Sequence, residues 1–375
     1  MGAAGSLAVL LALVAQTTEG FVGLAPHAHA RFTPALRDLH SSGQCAAGCA
    51  GRPRSLGGAA KLWMAAVGKT LVLGATGKVG GMVVRRLAAE GTPVLALARS
   101  VDSAAAKDLA TLANVEVREG DVTNLDSLKS AASGCENLVA AYGMNPPRFA
   151  KISDIWRDPF DDPRHPANIN FKGMENVVAA SKAAGVKKVV RLTGLSVGLS
   201  PWNPISILFS IVLSFSNMWN RRGEQVLRDS GLDYTVVRPG GLKDVAPAHE
   251  TGERLLMASE SWGEDAPPPT TGISRADVAS LLCLSLSQPC LSRTTLRVNR
   301  VKPGRADNNY YEDPRGKATW EEMFNTVTPD VTPLQEVDYS TPVGVVLTAV
   351  AAAVGYAFGF VLGRVLPFVK ASCGF

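Results

Sequence analysis

A glycine-rich turn between a short apolar run and an amphipathic segment constrains the fold more than any other feature of this chain. The run Thr70–Leu73 precedes the sequence GATGKVG, and apolar residues then recur at three- and four-residue spacing. A strand, a glycine-rich turn and a helix in this order are typical of a pyrophosphate-binding unit. Gly74 permits the tight turn, Gly77 lets the backbone approach the phosphates, and Gly80 lets the helix pack closely on the strand. The phosphates are expected at the positive end of the helix.

The end of the second predicted strand indicates which dinucleotide binds. The strand Pro93–Ala98 is followed by Arg99, where a chain that prefers NAD usually has an Asp or Glu. A guanidinium suits a ribose 2′-phosphate, so the sequence predicts NADP rather than NAD, although a solvated Arg at a strand end is the plainer alternative. A third strand ends near Asp121, whose carboxylate suits the adenine amino group.

Strands and helices alternate through the middle of the chain. Further strands are predicted at 115–117, 138–141, 188–192 and 232–238, and an amphipathic helix at 171–184. This alternation predicts an α/β fold with a doubly wound parallel sheet of the Rossmann type, with the ligand at the carboxyl ends of the strands.

Several motifs together resemble the atypical short-chain dehydrogenase/reductase family, especially its plastid NADP-binding members. They are VLGATGKVG (72–80), ARS (98–100), EGDVTN (119–124), AAGVKKVVRLTG (183–194), RRGEQVLRDSGLDYTVVRPGGL (221–242) and ISRADVA (273–279). The resemblance covers about residues 68–328. It implies a cofactor site formed by Gly74, Thr76, Gly77, Lys78, Val79, Gly80, Arg99, Asp121, Val122 and Pro239, with Pro239 near the nicotinamide.

The catalytic positions depart from this resemblance. Carbonyl-reducing members use a Ser after the fifth strand and a Tyr-x-x-x-Lys pair on the next helix, where the Tyr donates a proton and the Lys lowers its pKa. The corresponding positions here are Gly194, Ser216 and Asn220. Thr193, Tyr142 and Ser196 are weak catalytic candidates, and each of these residue types is more often structural.

Two functions therefore stay open. One is an NADP-dependent oxidoreductase or redox sensor, and the other is a non-catalytic NADP-binding factor that assembles with or docks on a plastid membrane complex. The sequence leaves the acceptor and the oligomeric state undetermined.

The two ends of the chain predict targeting and a membrane anchor. The short apolar run Leu7–Ala15 predicts a signal peptide at 1–20, and the acid-poor residues 21–66 predict a transit peptide; a disordered tail is the alternative. Residues 67–328 are predicted to be the dinucleotide-binding domain and 329–342 a linker. The uncharged run at 343–363 gives about 31 Å of helix, enough to span a bilayer, with a buried core helix as the alternative. These features predict a plastid (chloroplast) membrane protein whose NADP domain faces the stroma.

Composition narrows the remaining possibilities. Apolar residues make up 46% of the chain and charged residues 19%, which excludes a disordered polyelectrolyte. The net charge is +5, and no basic stripe with aromatic residues predicts nucleic-acid binding. The six cysteines form neither a CxxC pair nor a Cys/His cluster, so no metal site is predicted.

The insertion at 144–166 is a candidate lid. The apolar segment 204–218 is a core helix, a wall for an apolar substrate or a membrane-surface patch.

Overall fold

The computed structural model describes residues 68–143, 149–151, 154, 157–260, 272–301, 316–330, 334, 337–350 and 353. The predicted signal peptide (1–20) and transit peptide (21–66) lie outside the described residues. So does most of the predicted anchor, at residues 351–352 and 354–363.

Strands and helices alternate through the described chain, as the spacing predicted. The strands are β1 (Thr70–Leu73), β2 (Val94–Ala98), β3 (Val115–Glu119), β4 (Asn137–Ala140), β5 (Lys188–Leu192), β6 (Asp233–Pro239), β7 (Gly241–Lys243), β8 (Arg254–Ser259), β9 (Gly272–Ser274) and β10 (Thr294–Val301). The α-helices are α1 (Lys78–Ala89), α2 (Ala104–Leu109), α3 (Leu125–Ala132), α4 (Gly173–Ala184), α5 (Pro204–Val212), α6 (Ser216–Arg228), α7 (Ala248–Thr251) and α8 (Arg275–Ser287). A π-helix (Ala167–Lys172) runs into α4, and 3-10 helices span Leu195–Gly198, Pro289–Leu291 and Glu321–Thr326.

Eight strands form one sheet in the order β3-β2-β1-β4-β5-β6-β10-β8. All neighbouring pairs are parallel except β8, which runs antiparallel to β10. After β1, the strands β2 and β3 are added on one side of it, and the chain then crosses to place β4 on its other side. The switch in strand order therefore falls between β1 and β4, where ligands bind in sheets of this kind. The strands β7 and β9 form a separate parallel pair.

Successive residues of the central strands pack on opposite faces of the sheet, because side chains in a strand alternate with a period of two. Val72 of β1 belongs to the core beneath α1 and α8, whereas Leu71 and Leu73 belong to the core beneath α3, α4 and α6. Burial on both faces explains why β1, β2, β4 and β5 are almost continuously apolar.

The apolar segment 204–218 differs from a buried core helix. It divides into α5 and α6 at Ser214 and Phe215, which have φ angles of +51° and +58°. In α5 the serines at 206 and 210 are buried, while the neighbouring isoleucine, leucine and phenylalanine side chains are only partly covered. This helix therefore directs polar groups inwards and leaves apolar surface outside.

The first part of the predicted anchor is helical. Residues 340–350 form a helix, and Val345 and Leu347 on it are 52% and 43% exposed. No stretch of helix within the described ranges has both the length and the apolar character needed to cross a bilayer.

Candidate functional site

The glycine-rich turn lies at the switch point of the sheet. Gly74 has φ +74°, and a Cβ there would come within 2.8 Å of the Tyr142 Cα at the end of β4. A Cβ on Gly80 would lie 2.2 Å from the carbonyl oxygen of Gly74. The turn closes through the Gly77 N–H, which donates to the Gly74 carbonyl at 2.9 Å. Both close approaches exclude any side chain, as the sequence predicted.

The N-terminus of α1 is available to a phosphate group. Its N-cap residue is Gly77, which supplies no side-chain acceptor, and its first turn contains no acidic residue. An uncapped helix N-terminus presents N–H groups and a positive partial charge, which together favour an anion. A pyrophosphate therefore fits the geometry of this turn.

Two basic residues follow the carboxyl ends of the neighbouring strands β1 and β2. Arg99, directly after β2, is exposed, and Lys78 is the first residue of α1. The Lys78 ammonium lies 2.6 Å from a carboxylate oxygen of Asp244, which also pairs with Arg275 at 2.5 Å. Hydrogen bonding from Lys78, together with the two positive charges, holds the pKa of Asp244 below its usual range. Lys78 is thus ion-paired with Asp244, an acidic residue that no sequence motif indicated.

The other predicted cofactor residues lie at the carboxyl ends of their strands. Asp121 follows β3 and accepts hydrogen bonds from the Thr123 N–H at 2.8 Å and hydroxyl at 2.7 Å. Val122 is half-buried, and its carbonyl accepts a hydrogen bond from the Asn176 side chain at 3.0 Å. Pro239 ends β6 and is buried. The remaining residues, Thr76 and Val79, belong to the glycine-rich turn and the first turn of α1.

A buried arginine stands behind the altered Tyr and Lys positions. Ser216 and Asn220 are one helical turn apart on α6, and the Asn220 amide donates to the Ser216 carbonyl at 3.0 Å. The Asn220 Oδ1 accepts a hydrogen bond from Arg191 of β5 at 3.3 Å. Arg191 is 2% exposed, so a positive charge does lie near the lysine position, but β5 supplies it.

Tyr142 packs under this arginine. The Arg191 guanidinium carbon lies 4.1 Å from the centre of the Tyr142 ring, and Arg191 donates to the Tyr142 carbonyl at 3.3 Å. The Tyr142 hydroxyl is buried and has no hydrogen-bond partner among the described residues. Burial raises the pKa of this phenol, with the nearby guanidinium opposing the rise. A buried phenol with a raised pKa gives up its proton less readily, so Tyr142 is better explained as a packing residue than as a proton donor.

Thr193 belongs to a buried ionic network. Its hydroxyl donates to Glu224 at 2.6 Å, and Arg238 forms a salt bridge with the same carboxylate; both charged side chains are fully buried. Arg238 also pairs with Glu260, which in turn pairs with Arg228. Thr193 therefore ties the end of β5 to α6.

Ser196 is engaged with the first turn of α6. Its hydroxyl donates to the Asn217 Oδ1 at 3.0 Å. Gly194, at the usual serine position, has a half-buried and extended backbone between these two hydroxyl-bearing residues. Thr193 and Ser196 follow β5 and Tyr142 follows β4, so all three lie at the same edge of the sheet as the glycine-rich turn.

Comparison with known proteins fits this geometry. Residues 74–289 match the family described as NAD(P)H-binding, which is more than half of the chain. The chain belongs to the NAD(P)H-binding family. The matched part begins at the first glycine of the turn and extends through α8 to Pro289.

Curated relatives of this NAD(P)H-binding chain include chloroplastic proteins and an enzyme. It is 31% identical to an uncharacterized chloroplastic protein of Arabidopsis thaliana over 226 residues, which cover 58% of this chain and 64% of that protein. It is 26% identical to the chloroplastic protein TIC 62 of Pisum sativum over 240 residues, covering 59% and 40% respectively. It is 30% identical to sanguinarine reductase of Eschscholzia californica over 173 residues, covering 45% and 56%. The chain thus spans less than two thirds of each of these relatives.

Three functional-site residues were missed by the sequence analysis. Asp244 directly follows the short strand β7 and belongs to no motif that the sequence shows. Arg191 interrupts the apolar strand KVVRL, and a charge in a strand buried on both faces is a usable signal. Asn217 could not have been found, because its burial depends on the break between α5 and α6.

Proposed function

We propose that this chain is an NADPH-dependent reductase that transfers hydride without a Tyr/Lys pair. The observation that supports it best is the uncapped N-terminus of α1 beside Gly74, together with Lys78 as the first residue of α1 and Arg99 directly after the neighbouring strand β2. The glycines admit the pyrophosphate and the two cations fit a 2′-phosphate, which NADP carries and NAD lacks. When bound, the dinucleotide supplies the hydride, and Pro239 at the end of β6 is expected near the nicotinamide.

The altered α6 restricts the kind of acceptor. Neither Ser216 nor Asn220 can act as a proton donor near neutral pH, because a hydroxyl and a carboxamide do not titrate there. An acceptor with an extended conjugated system is therefore expected, since charge left by hydride transfer spreads over such a system until water supplies the proton. The relative that is named a sanguinarine reductase supports the assignment of a reductase.

Equilibrium titration of the protein with NADPH and NADH tests the cofactor assignment. We expect NADPH to bind more tightly, and Arg99→Asp to weaken NADPH by about tenfold or more while changing NADH little, because a charge-assisted hydrogen bond contributes about 1.5–3 kcal/mol. Lys182→Asp, the same charge change on an exposed position at the far end of α4, is the matched control. Equal affinity for the two dinucleotides would exclude the NADP assignment.

A non-catalytic role is the second candidate, and the absence of a phenol and an ammonium at positions 216 and 220 favours it. In this case NADP binding regulates docking of the chain on a plastid membrane complex, and the likeness to the chloroplastic protein TIC 62 supports the plastid part of this role. Stereospecific loss of hydride from labelled NADPH in a plastid extract distinguishes the two. Turnover excludes the inert role, whereas nucleotide-dependent capture of membrane subunits without turnover excludes the reductase.

We further propose a plastid membrane location, with residues 1–66 as the targeting leader, 329–342 as the linker and 343–363 as the anchor. The uncharged run of residues 343–363 and the chloroplastic relatives support it. Alkaline extraction of plastid membranes is expected to release a chain truncated after residue 342 and to leave the full chain behind. Protease treatment of intact plastids then reports whether the NADP domain faces the stroma.

A further inference from the structure

The first turn of α6 is an uncapped helix N-terminus at the carboxyl edge of the sheet. This helix has 13 residues and connects β5 to β6, so it begins at the edge where the dinucleotide is expected. Its N-cap residue, Phe215, supplies no side-chain acceptor, and no acidic residue lies in its first turn. The Ser216 N–H donates to the Leu213 carbonyl at 3.1 Å, and no acidic residue within the turn itself offsets the partial positive charge of the helix N-terminus.

Asn217, the second residue of α6, has a buried donor without an acceptor. The residue is 4% exposed, and its Oδ1 is occupied by the Ser196 hydroxyl at 3.0 Å. Its Nδ2 is buried and has no partner among the residues that the structure describes. Because buried polar groups are almost always paired, this Nδ2 indicates a missing acceptor at the first turn of the helix.

A buried cation, Arg191, lies against α6. It reaches this helix through Asn220 and forms no ion pair with a carboxylate within the described ranges. The nearest carboxylate along α6, Glu224, is neutralised by Arg238. The carboxylate of Asp154 lies just before the start of α6, where it accepts a hydrogen bond from the Ser214 hydroxyl at 2.9 Å. A buried cation without a counter-charge favours a negatively charged ligand group.

We propose that the first turn of α6 binds an anionic oxygen of the acceptor, with the Asn217 Nδ2 as its donor and Arg191 as the charge behind it. This inference rests on the proposed reductase function. The oxygen comes from one of two sources: a carboxylate that the acceptor already carries, or the carbonyl oxygen of a quinone-type acceptor. In the second case the acceptor takes up the hydride that NADPH supplies. The π electron pair then moves onto the oxygen, which takes its proton from water, and NADPH becomes NADP⁺.

Binding of a matched pair of fragments tests the first source without any turnover. The full chain, saturated with NADP⁺, is titrated with 2-naphthoate and with the neutral 2-naphthamide. We expect naphthoate to bind about tenfold or more tightly, and Asn217→Asp to abolish the difference, because the new carboxylate retains the Ser196 contact but repels an anion. Asn203→Asp is the matched control, since Asn203 caps α5 through its Oδ1 and Asp caps a helix equally well.

Reduction of 1,4-naphthoquinone by NADPH tests the second source. If the two fragments bind equally, we expect Asn217→Ala to lower kcat about tenfold or more with KM and the NADPH dissociation constant nearly unchanged, as for the loss of an oxyanion donor. The melting temperature of each variant separates this effect from unfolding. Equal binding of the fragments together with an unchanged kcat, or with no quinone reduction at all, overturns the inference. Tight NADPH binding and hydride loss to another acceptor would still leave the reductase proposal standing.

Discussion

The ion pair between Lys78 and Asp244 joins the first residue of α1, next to the glycine-rich turn, to the loop after β7. Asp244 lies between Lys78 and Arg275 and carries the single negative charge that the two cations share. Under the proposed function, the 2′-phosphate of NADP competes with this carboxylate for Lys78, so Asp244 is expected to weaken NADP binding.

We expect Asp244→Asn to tighten NADPH binding by no more than about fivefold, because an exposed ion pair contributes little. The gain should shrink in high salt, which screens charges at an exposed site. NADH, which has no 2′-phosphate, should bind almost unchanged. Isothermal titration at low and high salt measures all three effects. Weaker NADPH binding in this variant would show that Asp244 organises the loop instead of competing for it.

Residues with a local conformational signature could be predicted from the sequence, and residues defined by packing could not. Gly74 and Gly80 are dictated by backbone contacts within one short turn, so the motif alone located them. Asn217 and the Arg191–Asn220 contact depend on how α6 lies against β5. The position of α6 against β5 is set by tertiary packing between residues such as Arg191 and Asn220, which are more than 25 positions apart in the sequence. The local sequence therefore contains no pattern that predicts it.

At the scale of elements, the contact between β1 and α1 depends on Gly80. A Cβ on Gly80 would lie 2.2 Å from a backbone oxygen that cannot move away, whereas a Cβ on the adjacent Gly81 would meet its nearest atom, in the Arg85 side chain, at 3.2 Å. Two neighbouring glycines of the same helix thus differ in what surrounds them.

We expect Gly80→Ala to lower the free energy of unfolding by about 1–3 kcal/mol and to weaken NADPH binding, because α1 must move away from β1. Gly81→Ala is the matched control and should change stability by less than about 1 kcal/mol, since alanine favours the helix and the flexible Arg85 can shift. Urea unfolding of both variants provides the measurement. Similar losses in the two variants would mean that helix propensity, not close packing, governs this contact.

The order of the elements was largely predictable, and the exceptions have physical causes. The alternation of apolar strands and amphipathic helices predicted the parallel sheet, because buried strands and helices each have a characteristic hydrophobic pattern in the sequence. The apolar segment 204–218 did not specify its own structure, since hydrophobicity alone does not show where a chain turns. The left-handed backbone at Ser214 and Phe215 divides it into α5 and α6.

At the scale of the whole molecule, a buried ionic network joins the antiparallel edge of the sheet to its parallel centre. Glu260 follows β8 and pairs with Arg238 of β6 and Arg228 of α6. Breaking such a network by removing one partner leaves a buried charge without compensation, which is strongly destabilising. The ionisation of Glu260 therefore adds to the backbone hydrogen bonds and apolar packing that attach β8 and β10 to the rest of the domain.

This network predicts how stability depends on pH. Burial raises the pKa of Glu260, but the guanidinium groups of Arg238 and Arg228 outweigh it and lower the pKa from 4.5 to about 2. A carboxyl whose pKa is lower in the folded chain stabilises the fold above the unfolded pKa. We therefore expect this contribution, about 3 kcal/mol, to be complete above about pH 4.5 and to disappear as the pH falls to about 2.

Glu260→Gln isolates this contribution from those of the other acidic residues, such as Asp330, whose pKa burial raises. The variant should be less stable than the parent at pH 7, because Arg238 and Arg228 each lose one carboxylate partner and are left with Glu224 and Asp330 respectively. Urea unfolding of both proteins between pH 3 and pH 7 should show the difference narrowing as the pH falls, since protonation makes the parent resemble the variant. A difference that stays constant across this range would place the stabilising charge elsewhere, and the edge strands would then be held to the sheet by their backbone hydrogen bonds and apolar packing without this ion pair.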